Sequence, residues 1–462
     1  MSNVATEIFK AYDIRGIVGK SLTEETVELI GKALGTEAKL RGGTQITIGR
    51  DGRLSGPTFA KALARGIQST GIGVIDIGMV ATPMVYFGAV HYGTGSGVMI
   101  TGSHNPPDYN GIKMVIQGDT LALDAIQVLK RRIDAGDFER AAAGQEGKYS
   151  QQDISDAYVA RIVGDAKLKR KMKVVVDCGN GAPGMIAPRL FKALGCDVIE
   201  LFCEVDGTFP NHHPDPAQPK NLQDVIRTLK ETDAELGLAF DGDGDRLGVV
   251  TKDGEIIFPD RQLMLFAADV LTRVPGGEIL FDVKSTRHLF KWVRDHGGKP
   301  TMYKTGHSLL KNKMKEVGAP LAGEMSGHIF FKERWYGFDD ALYCGARLLE
   351  IVSAYADAGA PLKVLPDAIS TPELNWKLAE GEPHRLVEQL QKTAKFEGAD
   401  EIITIDGVRV EYPDGFGLAR ASNTTPVITL RFEADTDAGL ERIMADFRRV
   451  LSAAKPDVPL PF

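Results

Sequence analysis

The chain has 462 residues, of which 43% are hydrophobic and 25% are charged, and its formal net charge is -7. That length exceeds one compact core, so we expect three to four domains, and the composition is typical of a folded protein. The acidic balance argues against a nucleic-acid partner, because such proteins usually present a dense basic face. A local cluster of cations could still bind a small anionic substrate.

The beginning of the chain and its cysteines bear on location. Residues 1–7 show neither a basic start nor a following apolar run, so we expect no signal peptide. Nowhere does an uncharged apolar stretch reach the length of a membrane helix, so we expect no membrane partner. The four cysteines form no C-x-x-C pair and no disulfide framework, which is usual in a reducing compartment. We therefore expect a cytoplasmic protein.

One pattern of short strands and helical stretches occurs three times along the chain. The predicted elements are strands at 46–48, 73–77 and 97–100 with a helix at 59–68, strands at 174–176, 197–202 and 236–240 with a helix at 187–194, and strands at 279–281, 300–303 and 320–322. This alternation predicts βαβ units with largely parallel sheets, whose ligands gather at the carboxyl ends of the strands. Polar, glycine-rich loops follow those ends, so we expect three domains around a shared cleft.

The end of the chain has a different pattern. Residues 402–410, 417–420 and 427–432 are predicted as antiparallel strands, and residues 435–453 as a closing amphipathic helix. The predicted fold is therefore α/β, with three similar mixed α/β domains and a smaller C-terminal α+β domain around a central cleft. The predicted domain boundaries are 1–149, 150–253, 254–367 and 368–462.

Asp241, Asp243 and Asp245 alternate with glycine directly after a predicted strand. Three carboxylates at this spacing repel one another unless a cation lies among them, and hard oxygen ligands suit Mg²⁺. An EF-hand is excluded, because Arg246 stands where that motif needs Gly and Lys252 where it needs Glu. The pattern predicts a metal site rather than a solvated acidic turn.

Two further loops contain groups that could bind or transfer phosphate. The loop 101–106 places Ser103 beside glycine at the end of a strand, which suits a nucleophile, although its letters fit a plain Asn-Pro turn better. No Gly-x-Ser-x-Gly surrounds Ser103, so a hydrolase elbow is not indicated. The loop 420–425 combines Arg420 with three hydroxyls and an amide. That set suits a phosphate site and equally a Ser/Thr-rich connection.

Three other motifs need an interpretation. Residues 16–21 resemble a nucleotide P-loop, but the first glycine is misplaced, so we reject that reading. Residues 179–184 fit Gly-x-Gly-x-x-Gly, with Glu200 where a ribose-binding acid could lie, which supports a dinucleotide-binding dehydrogenase as an alternative. A dehydrogenase has no obvious use for the three aspartates. His212 and His213 lie in a proline-rich segment, for which we favour a rigid structural loop.

Taken together, the motifs resemble the α-D-phosphohexomutase superfamily, most closely bacterial phosphomannomutase/phosphoglucomutase. The matching segments, in the family's order and across nearly the whole chain, are 11–16 (AYDIRG), 101–106 (TGSHNP), 241–246 (DGDGDR), 323–328 (GEMSGH) and 420–424 (RASNT). The resemblance implies an isomerase that moves a phosphoryl group between the 1- and 6-positions of mannose or glucose phosphates. It also implies a phosphoserine, Mg²⁺, and hexose 1,6-bisphosphate as intermediate and activator. We expect a monomer, and the glycine-rich segment 179–184 becomes a structural turn.

The resemblance also assigns roles to individual residues. It implies metal ligation by Asp241, Asp243, Asp245 and an oxygen of phosphorylated Ser103. It implies catalytic roles for Ser103, His104, Lys113, His328 and Arg15. It implies substrate contacts by Tyr12, Arg246, Lys284, His307, Glu324, Ser326, Arg420, Ser422, Asn423 and Thr424. His328 and Lys113 are both candidates for the general base, and a phosphoglucosamine mutase is the alternative within the class, although that family typically has Gln at the position of Met325.

Overall fold

The computed structural model of the protein describes residues 4–423 and 425–462. The strands of the first unit are β1 Ile14–Ile17, β2 Gln45–Arg50, β3 Gly73–Met79, β4 Gly97–Ile100, β5 Tyr109–Ile116, β6 Asp119–Thr120 and β7 Tyr149–Gln151. Its helices are α1 Glu24–Leu40, α2 Gly56–Gln68, α3 Thr82–His91 and α4 Asp124–Ala135. The sheet runs in the order β1-β5-β4-β2-β3-β7, with β6 paired to β5 beside that path.

The second and third units each contain a smaller sheet. The second unit comprises α5 Ser155–Asp165, β8 Lys173–Asp177, α6 Ala187–Ala193, β9 Asp197–Leu201, α7 Gln223–Glu231, β10 Leu236–Phe240, β11 Leu247–Thr251 and β12 Ile256–Ile257. The third comprises α8 Pro259–Arg273, β13 Glu278–Asp282, α9 His288–Asp295, β14 Lys299–Tyr303, α10 His307–Val317, β15 Leu321–Gly323, β16 Ile329–Phe331, α11 Ala341–Val352 and α12 Ala360–Lys363.

The three units share one strand arrangement. The central strands β2, β8 and β13 each have a parallel neighbour on both sides. In each unit one of those neighbours, β4, β10 or β15, then pairs antiparallel with the next strand of the chain. The short loop at that reversal is the one that carries Ser103, the aspartates or Glu324. The repeat therefore delivers one polar loop per unit from an equivalent place in the fold.

The fourth unit is antiparallel. It contains β17 Ile369–Ser370, β18 Leu374–Lys377, α13 Glu382–Thr393, β19 Glu401–Ile403, β20 Val408–Tyr412, β21 Gly415–Ala421, β22 Val427–Ala434 and α14 Asp437–Ala454. The single strand predicted at 402–410 is wrong: residues 404–407 form a turn, and Gly407, with φ of 93°, leads into β20. A left-handed glycine cannot continue a strand, so the backbone reverses there.

The hydrophobic core joins the units. One continuous cluster of buried side chains extends from α3 of the first unit through the second and third units. At its centre Phe87 lies parallel to Trp335, with ring centroids 6.2 Å apart, and Tyr158 meets both rings edge-on. These rings come from three different units, so their packing fixes the relative positions of the polar loops.

The fold also bears on two expectations from the sequence. Among the described residues, no helix combines the length and apolar character needed to cross a membrane. Strand β7 spans residues 149–151 and pairs with β3, so it runs across the boundary predicted at 149/150. The four domain boundaries remain predictions.

The contact between α1 and α2 depends on glycine. A Cβ added at Gly66 would lie 2.1 Å from the carbonyl oxygen of Glu28 on α1, so Gly66→Ala should force the helices apart. We expect a loss of about 1–3 kcal/mol of stability. Gly164 on α5 is exposed and has no atom near the equivalent position, so Gly164→Ala should instead stabilise by about 0.4–1 kcal/mol. Thermal denaturation of both variants tests this, and equal melting temperatures would contradict it.

Candidate active site

Polar loops from all four units line one cleft of about 720 Å³. Its lining includes these residues for which the sequence predicts a role: Tyr12, Arg15, Ser103, His104, Lys113, Arg246, Lys284, His307, Glu324, Ser326, His328, Arg420, Ser422 and Asn423. Thr424 lies outside the described residues. The three aspartates are buried beneath the cleft floor, next to Ser103 and Lys113. The structure thus brings together residues that are up to about 400 positions apart in the sequence.

The aspartate loop folds around its own first carboxylate. Oδ1 of Asp241 accepts the backbone N–H groups of Gly244, Asp245 and Arg246 at 3.0, 3.1 and 3.2 Å. Gly244 has φ of 77°, which lets the backbone turn back toward Asp241. Burial, together with the charges of Asp245 and Asp243, raises the pKa of Asp241 well above its usual range. The loop is therefore preformed, but its negative charges remain close together.

Two residues of the first unit reach this loop and partly offset its charge. The Lys113 ammonium lies 2.8 Å from Oδ2 of Asp243 and 2.5 Å from Oδ2 of Asp245. The Thr82 hydroxyl, at the start of α3, donates to Asp243 at 2.6 Å. Burial opposes ionisation of Asp243, but Lys113 holds the pKa of that carboxyl below its usual value. Burial likewise opposes the charged form of Lys113, while Asp243 and Asp245 raise its pKa well above the usual range.

The aspartate loop has the properties of a cation site. One oxygen from each of Asp241, Asp243 and Asp245 lies within 4.8 Å of the others. Oδ1 of Asp243 and Oδ1 of Asp245 are buried and have no hydrogen-bond partner among the described residues. An unsatisfied buried carboxylate oxygen is costly, and carboxylate oxygens are the ligands that hard divalent cations prefer. The residues present therefore fit a metal ion, which would satisfy both oxygens.

Ser103 lies directly against the aspartate loop. Its Oγ donates to Oδ2 of Asp241 at 3.0 Å and is 3.1 Å from Nδ1 of His104. The residue is buried, and its φ of 49° is unusual for a side chain other than glycine. Burial, followed by the charges of Arg246 and Arg15, lowers the pKa of His104 well below its usual value. His104 is therefore neutral beside the hydroxyl at physiological pH.

Arg15 provides positive charge near the same hydroxyl. Strand β1 places its guanidinium so that Nη1 donates to Oδ1 of Asn105, two residues after Ser103, at 2.5 Å. Nη2 donates to Asp13 at 2.5 Å. Because Arg15 and Lys113 are both held by ion pairs within the cleft, the surroundings of Ser103 suit a group that carries negative charge.

His328 connects the third unit to the aspartates. Its Nδ1 lies 3.1 Å from Oδ2 of Asp339 and 3.6 Å from Oδ1 of Asp245. Its Nε2 accepts a hydrogen bond from Nε of Arg246 at 3.1 Å. This arrangement assigns the ring proton to Nδ1 and leaves Nε2 unprotonated toward the cleft. The ring of His307 stacks on that of His328 with centroids 5.3 Å apart.

The loop after β15 presents acceptors and donors to the cleft. Glu324 accepts from the backbone N–H of Gly306 at 2.5 Å and from the Ser326 hydroxyl at 3.0 Å. Burial raises the pKa of Glu324. Opposite this loop, Lys284 forms an ion pair with Glu373 of the fourth unit at 2.6 Å. Fixed polar groups on two sides of one space can recognise a sugar through several hydroxyls.

The fourth unit closes the cleft through Arg420 and Asn423. Nε of Arg420 donates to Asp406 at 3.1 Å, while its buried Nη2 has no partner among residues 4–423 and 425–462. The Tyr12 hydroxyl donates to the carbonyl of Thr305 at 2.8 Å and accepts from the Asn423 amide. Burial raises the pKa of Tyr12 to about 12, so the phenol is neutral. Tyr12 therefore joins the first, third and fourth units at the rim.

Sequence reasoning missed the partners of the predicted residues. Thr82, Asp339, Glu373 and Asp406 each contact a predicted site residue, yet each lies outside the motifs. The one available signal was the acidic pair at 339–340 before a helix, which by itself predicts only a helix start. Partners that lie 11 to 161 positions away along the chain are not visible in one sequence.

The glycine-rich segment 179–184 serves close packing. A Cβ on Gly181 would lie 2.8 Å from the backbone of Gly242, and one on Gly184 would lie 2.0 Å from the carbonyl oxygen of Cys203. Glycine is required at both positions because the neighbouring backbone lies too close for a side chain. Nε2 of His212 lies 3.0 Å from Asp177, which anchors the proline-rich loop beside the aspartates. This agrees with the interpretation of both segments as structural.

Comparison with known proteins agrees with this geometry. Four family models match the chain in order: phosphoglucomutase/phosphomannomutase α/β/α domains I, II and III over residues 6–140, 156–254 and 258–369, and the C-terminal domain over residues 373–450. A phosphoglucomutase from Neisseria meningitidis serogroup A is 61% identical over 98% of this chain and 98% of its own. A phosphomannomutase/phosphoglucomutase from Pseudomonas aeruginosa is 56% identical over 98% and 97%.

A solved structure is similar over its whole length. The crystal structure of a phosphoglucomutase/phosphomannomutase family protein from Burkholderia thailandensis has a TM-score of 0.95 and 59% identity to this chain. The match covers 99% of this chain and 100% of the other. The four-unit arrangement and the cleft between the units are therefore those of a solved relative.

Removing one carboxylate of the aspartate loop should weaken cation binding. In Asp245→Asn the amide offers a neutral ligand, and Lys113 loses one of its two partners. Mutating even an outer-shell partner of a metal commonly costs about ten- to a hundredfold in affinity, so we expect a loss of at least about tenfold for a divalent cation, with Mg²⁺ as the probe. Titration calorimetry on EDTA-treated protein measures it. Asp253→Asn, at an exposed carboxylate of the same unit, is the matched control, and equal affinities of the two variants would contradict the assignment.

Proposed function

We propose how this chain, which belongs to the phosphoglucomutase/phosphomannomutase family and is a phosphohexose mutase, carries out its isomerisation. A phosphoryl group moves reversibly between the 1- and 6-positions of a hexose phosphate. Ser103 carries the group, and a hexose 1,6-bisphosphate is the intermediate. The observation that carries this proposal is the Ser103 hydroxyl, which lies 3.0 Å from Asp241 in a cleft that all four units line.

Phosphoryl transfer needs positioning and charge stabilisation more than covalent chemistry from the protein. The bond between phosphorus and Oγ of Ser103 breaks as the free hydroxyl of the sugar bonds to phosphorus. Lys113 and Arg15, which contact Asp243 and Asn105, would offset the negative charge that develops on the transferring group. Asp241, Asp243 and Asp245 would hold Mg²⁺, which supplies further positive charge when bound. The intermediate then turns end over end, and its other phosphate returns to Ser103.

His328 is the general base in this proposal. Lys113 is held as an ammonium by two buried carboxylates, so it has no lone pair to accept a proton. Nε2 of His328 is unprotonated and faces the cleft, while Asp339 lies beside Nδ1 and stabilises the imidazolium that forms. The sugar hydroxyl would replace Arg246 as the donor to Nε2.

One phosphate site must hold either end of the sugar. We place it at Arg420, Ser422 and Asn423, together with Thr424 from the sequence pattern. The unpartnered Nη2 of Arg420 among the described residues supports an anion there, because a guanidinium can donate to two phosphate oxygens at once. Lys284, Arg246 and His307 line the path between this site and Ser103.

Glucose and mannose phosphates are the proposed substrates. The two sugars differ only at C2, so a loop that grips the other hydroxyls through Glu324 and Ser326 would discriminate weakly between them. Relatives at 55–62% identity are named phosphoglucomutase or phosphomannomutase/phosphoglucomutase, which supports both sugars. Met325 argues against a glucosamine phosphate. Assays on the three sugar 1-phosphates separate these alternatives.

Several further expectations complete the proposal. The hexose 1,6-bisphosphate would also act as activator, because it can restore the phosphate of Ser103 after the intermediate escapes.

We propose a cytoplasmic monomer with units bounded at 1–149, 150–253, 254–367 and 368–462. The four cysteines, all within the described residues, are free thiols, which is compatible with a reducing compartment.

The phosphate carrier can be tested directly. Intact mass of active protein should show one phosphate, and Ser103→Ala should lose both that phosphate and sustained turnover. Ser150→Ala provides the control, because among the described residues that hydroxyl makes a single long hydrogen bond, to the backbone carbonyl of Val74 at 3.4 Å. If Ser103→Ala retained full activity with a phosphate on another residue, the proposed carrier would be wrong.

Arg420→Ala should weaken phosphate binding in both directions of the reaction. A hydrogen bond to a charged group is worth about 1.5–3 kcal/mol, which corresponds to roughly tenfold to a hundredfold in apparent affinity. The bisphosphate should also escape more often, so activity should depend more strongly on added hexose 1,6-bisphosphate. Steady-state kinetics in both directions measure this, with Arg442→Ala at an exposed arginine of the same unit as control. Impairment of one direction alone would show that the two phosphates use different sites.

A further inference from the structure

Arg53 is a buried arginine that none of the sequence motifs includes. It follows β2 by three residues, and its side chain is fully buried. Nη2 donates to the carbonyl oxygens of Ser103 and Asn105 at 2.9 and 2.6 Å. Nη1 donates to those of Pro106 and Tyr109 at 2.5 and 2.9 Å. Nε donates to the Asp51 carboxylate at 3.2 Å. All five N–H groups of the guanidinium are therefore engaged, three of them by the loop that contains Ser103 and one by Tyr109, the first residue of β5.

Asp51 binds the loop backbone on the N-terminal side of Ser103. Its Oδ2 accepts the N–H of Gly102 at 3.1 Å, and its Oδ1 accepts the N–H of Arg53 at 3.0 Å. Asp51 and Arg53 therefore bind the backbone on both sides of Ser103. Asp51 accepts the N–H of Gly102, and Arg53 donates to the carbonyl oxygen of Ser103 itself. A Cβ on Gly102 would lie 2.4 Å from the Arg53 guanidinium. Glycine at 102 is thus required for the close approach of the arginine.

The conformation of Ser103 needs such support. Its φ of 49° is a sparsely populated value for a residue with a side chain, and such values persist only where the surroundings impose them. The second unit closes over the arginine as well: the ring of Phe209 lies 5.2 Å from Cζ of Arg53, and Gly207 packs against the backbone at Gly52. Water therefore has little access to the hydrogen bonds that hold the loop.

We propose that Arg53, with Asp51, is a positioning residue that holds the Ser103 backbone in its left-handed conformation and so keeps Oγ directed at the aspartate loop. Arg53 touches neither the sugar nor the reacting atoms. It sets the geometry of phosphoryl transfer and leaves the sugar-binding groups at Glu324 and Arg420 unaffected. This inference rests on the proposed role of Ser103 as the phosphate carrier.

The test compares two buried arginines. Arg53→Lys keeps the charge but loses the planar fork that reaches four carbonyls. A displacement of about 1 Å at a reacting group can cost about a hundredfold in rate, so kcat should fall by about that factor. The dissociation constant for glucose 6-phosphate, measured by titration, should stay within about threefold. Arg347→Lys is the control, because Arg347 is equally buried, binds Tyr343 and Asp269, and lies outside the cleft lining.

Each outcome has a defined meaning. The proposal predicts a large kcat loss for Arg53→Lys together with faster hydrogen exchange in residues 101–109. Arg347→Lys should lower the melting temperature without either effect. If Arg53→Lys folds and has the same kcat and the same hydrogen-exchange rates in residues 101–109 as Arg347→Lys, the proposal is overturned. If Arg53→Lys does not fold, Gly102→Ala is the second variant, because its methyl group displaces the Arg53 guanidinium while the charge is retained. We expect the same loss of kcat in Gly102→Ala. Normal turnover of that variant would overturn the proposal.

Different results would refute the proposed function and the positioning role of Arg53. Wild-type protein that turns over with added hexose 1,6-bisphosphate but never carries phosphate on Ser103 would refute the carrier role. Hydrogen exchange requires no turnover, so it would still report whether Arg53 orders the loop. Unchanged exchange in Arg53→Lys would then refute the positioning role on its own.

Discussion

Three buried carboxylates within a few ångströms of one another impose the constraint on which the site depends. Asp241, Asp243 and Asp245 are all fully buried, and an ionised carboxylate without a partner is costly in such a place. The fold offsets the charge with an ammonium and a hydroxyl that both come from the first unit. Breaking one partner of a buried pair costs about 3–5 kcal/mol. The aspartate loop therefore ties two units together at the proposed site of phosphoryl transfer.

The same constraint explains why Ser103 lies where it does. A hydroxyl that donates to Asp241 both satisfies a carboxylate oxygen and brings the proposed phosphate carrier to the proposed metal site. Placing it there requires a left-handed serine on a loop with little regular structure. Arg53 and Asp51 supply the hydrogen bonds that the loop's backbone would otherwise lack. The conformation of the Ser103 loop is thus supported by the buried Arg53–Asp51 ion pair.

The outer half of the cleft is assembled differently. Between the third and fourth units, Lys284 pairs with Glu373, and at the rim Tyr12 meets both Thr305 and Asn423. The interface between the third and fourth units is mainly polar, with one small apolar cluster of Val283, Phe416 and Leu418, whereas the first three units share a continuous apolar core. In the proposed mechanism the bisphosphate reorients end over end within the cleft. This reorientation needs space that a fully packed interface would not provide. The cleft of about 720 Å³ that the four units line provides this space.

The sequence by itself determined the local features. Strand and helix periodicity, glycine at the loops and the spacing of the aspartates follow from short-range rules, so the three repeated units and the loops at their strand ends were predictable. One local prediction failed, at 402–410, because a β-branched run concealed the turn before Gly407.

Tertiary structure alone decided which charges meet. Lys113 contacts the Asp243 carboxylate, 130 positions away in the sequence. Arg53 contacts the carbonyl oxygen of Tyr109, 56 positions away. No periodicity encodes such partners, because a side chain's neighbours across a domain boundary depend on how the apolar faces pack and not on spacing along the chain. For the same reason the choice of His328 over Lys113 as the proposed base had to await the structure, where the two carboxylates beside Lys113 keep it protonated.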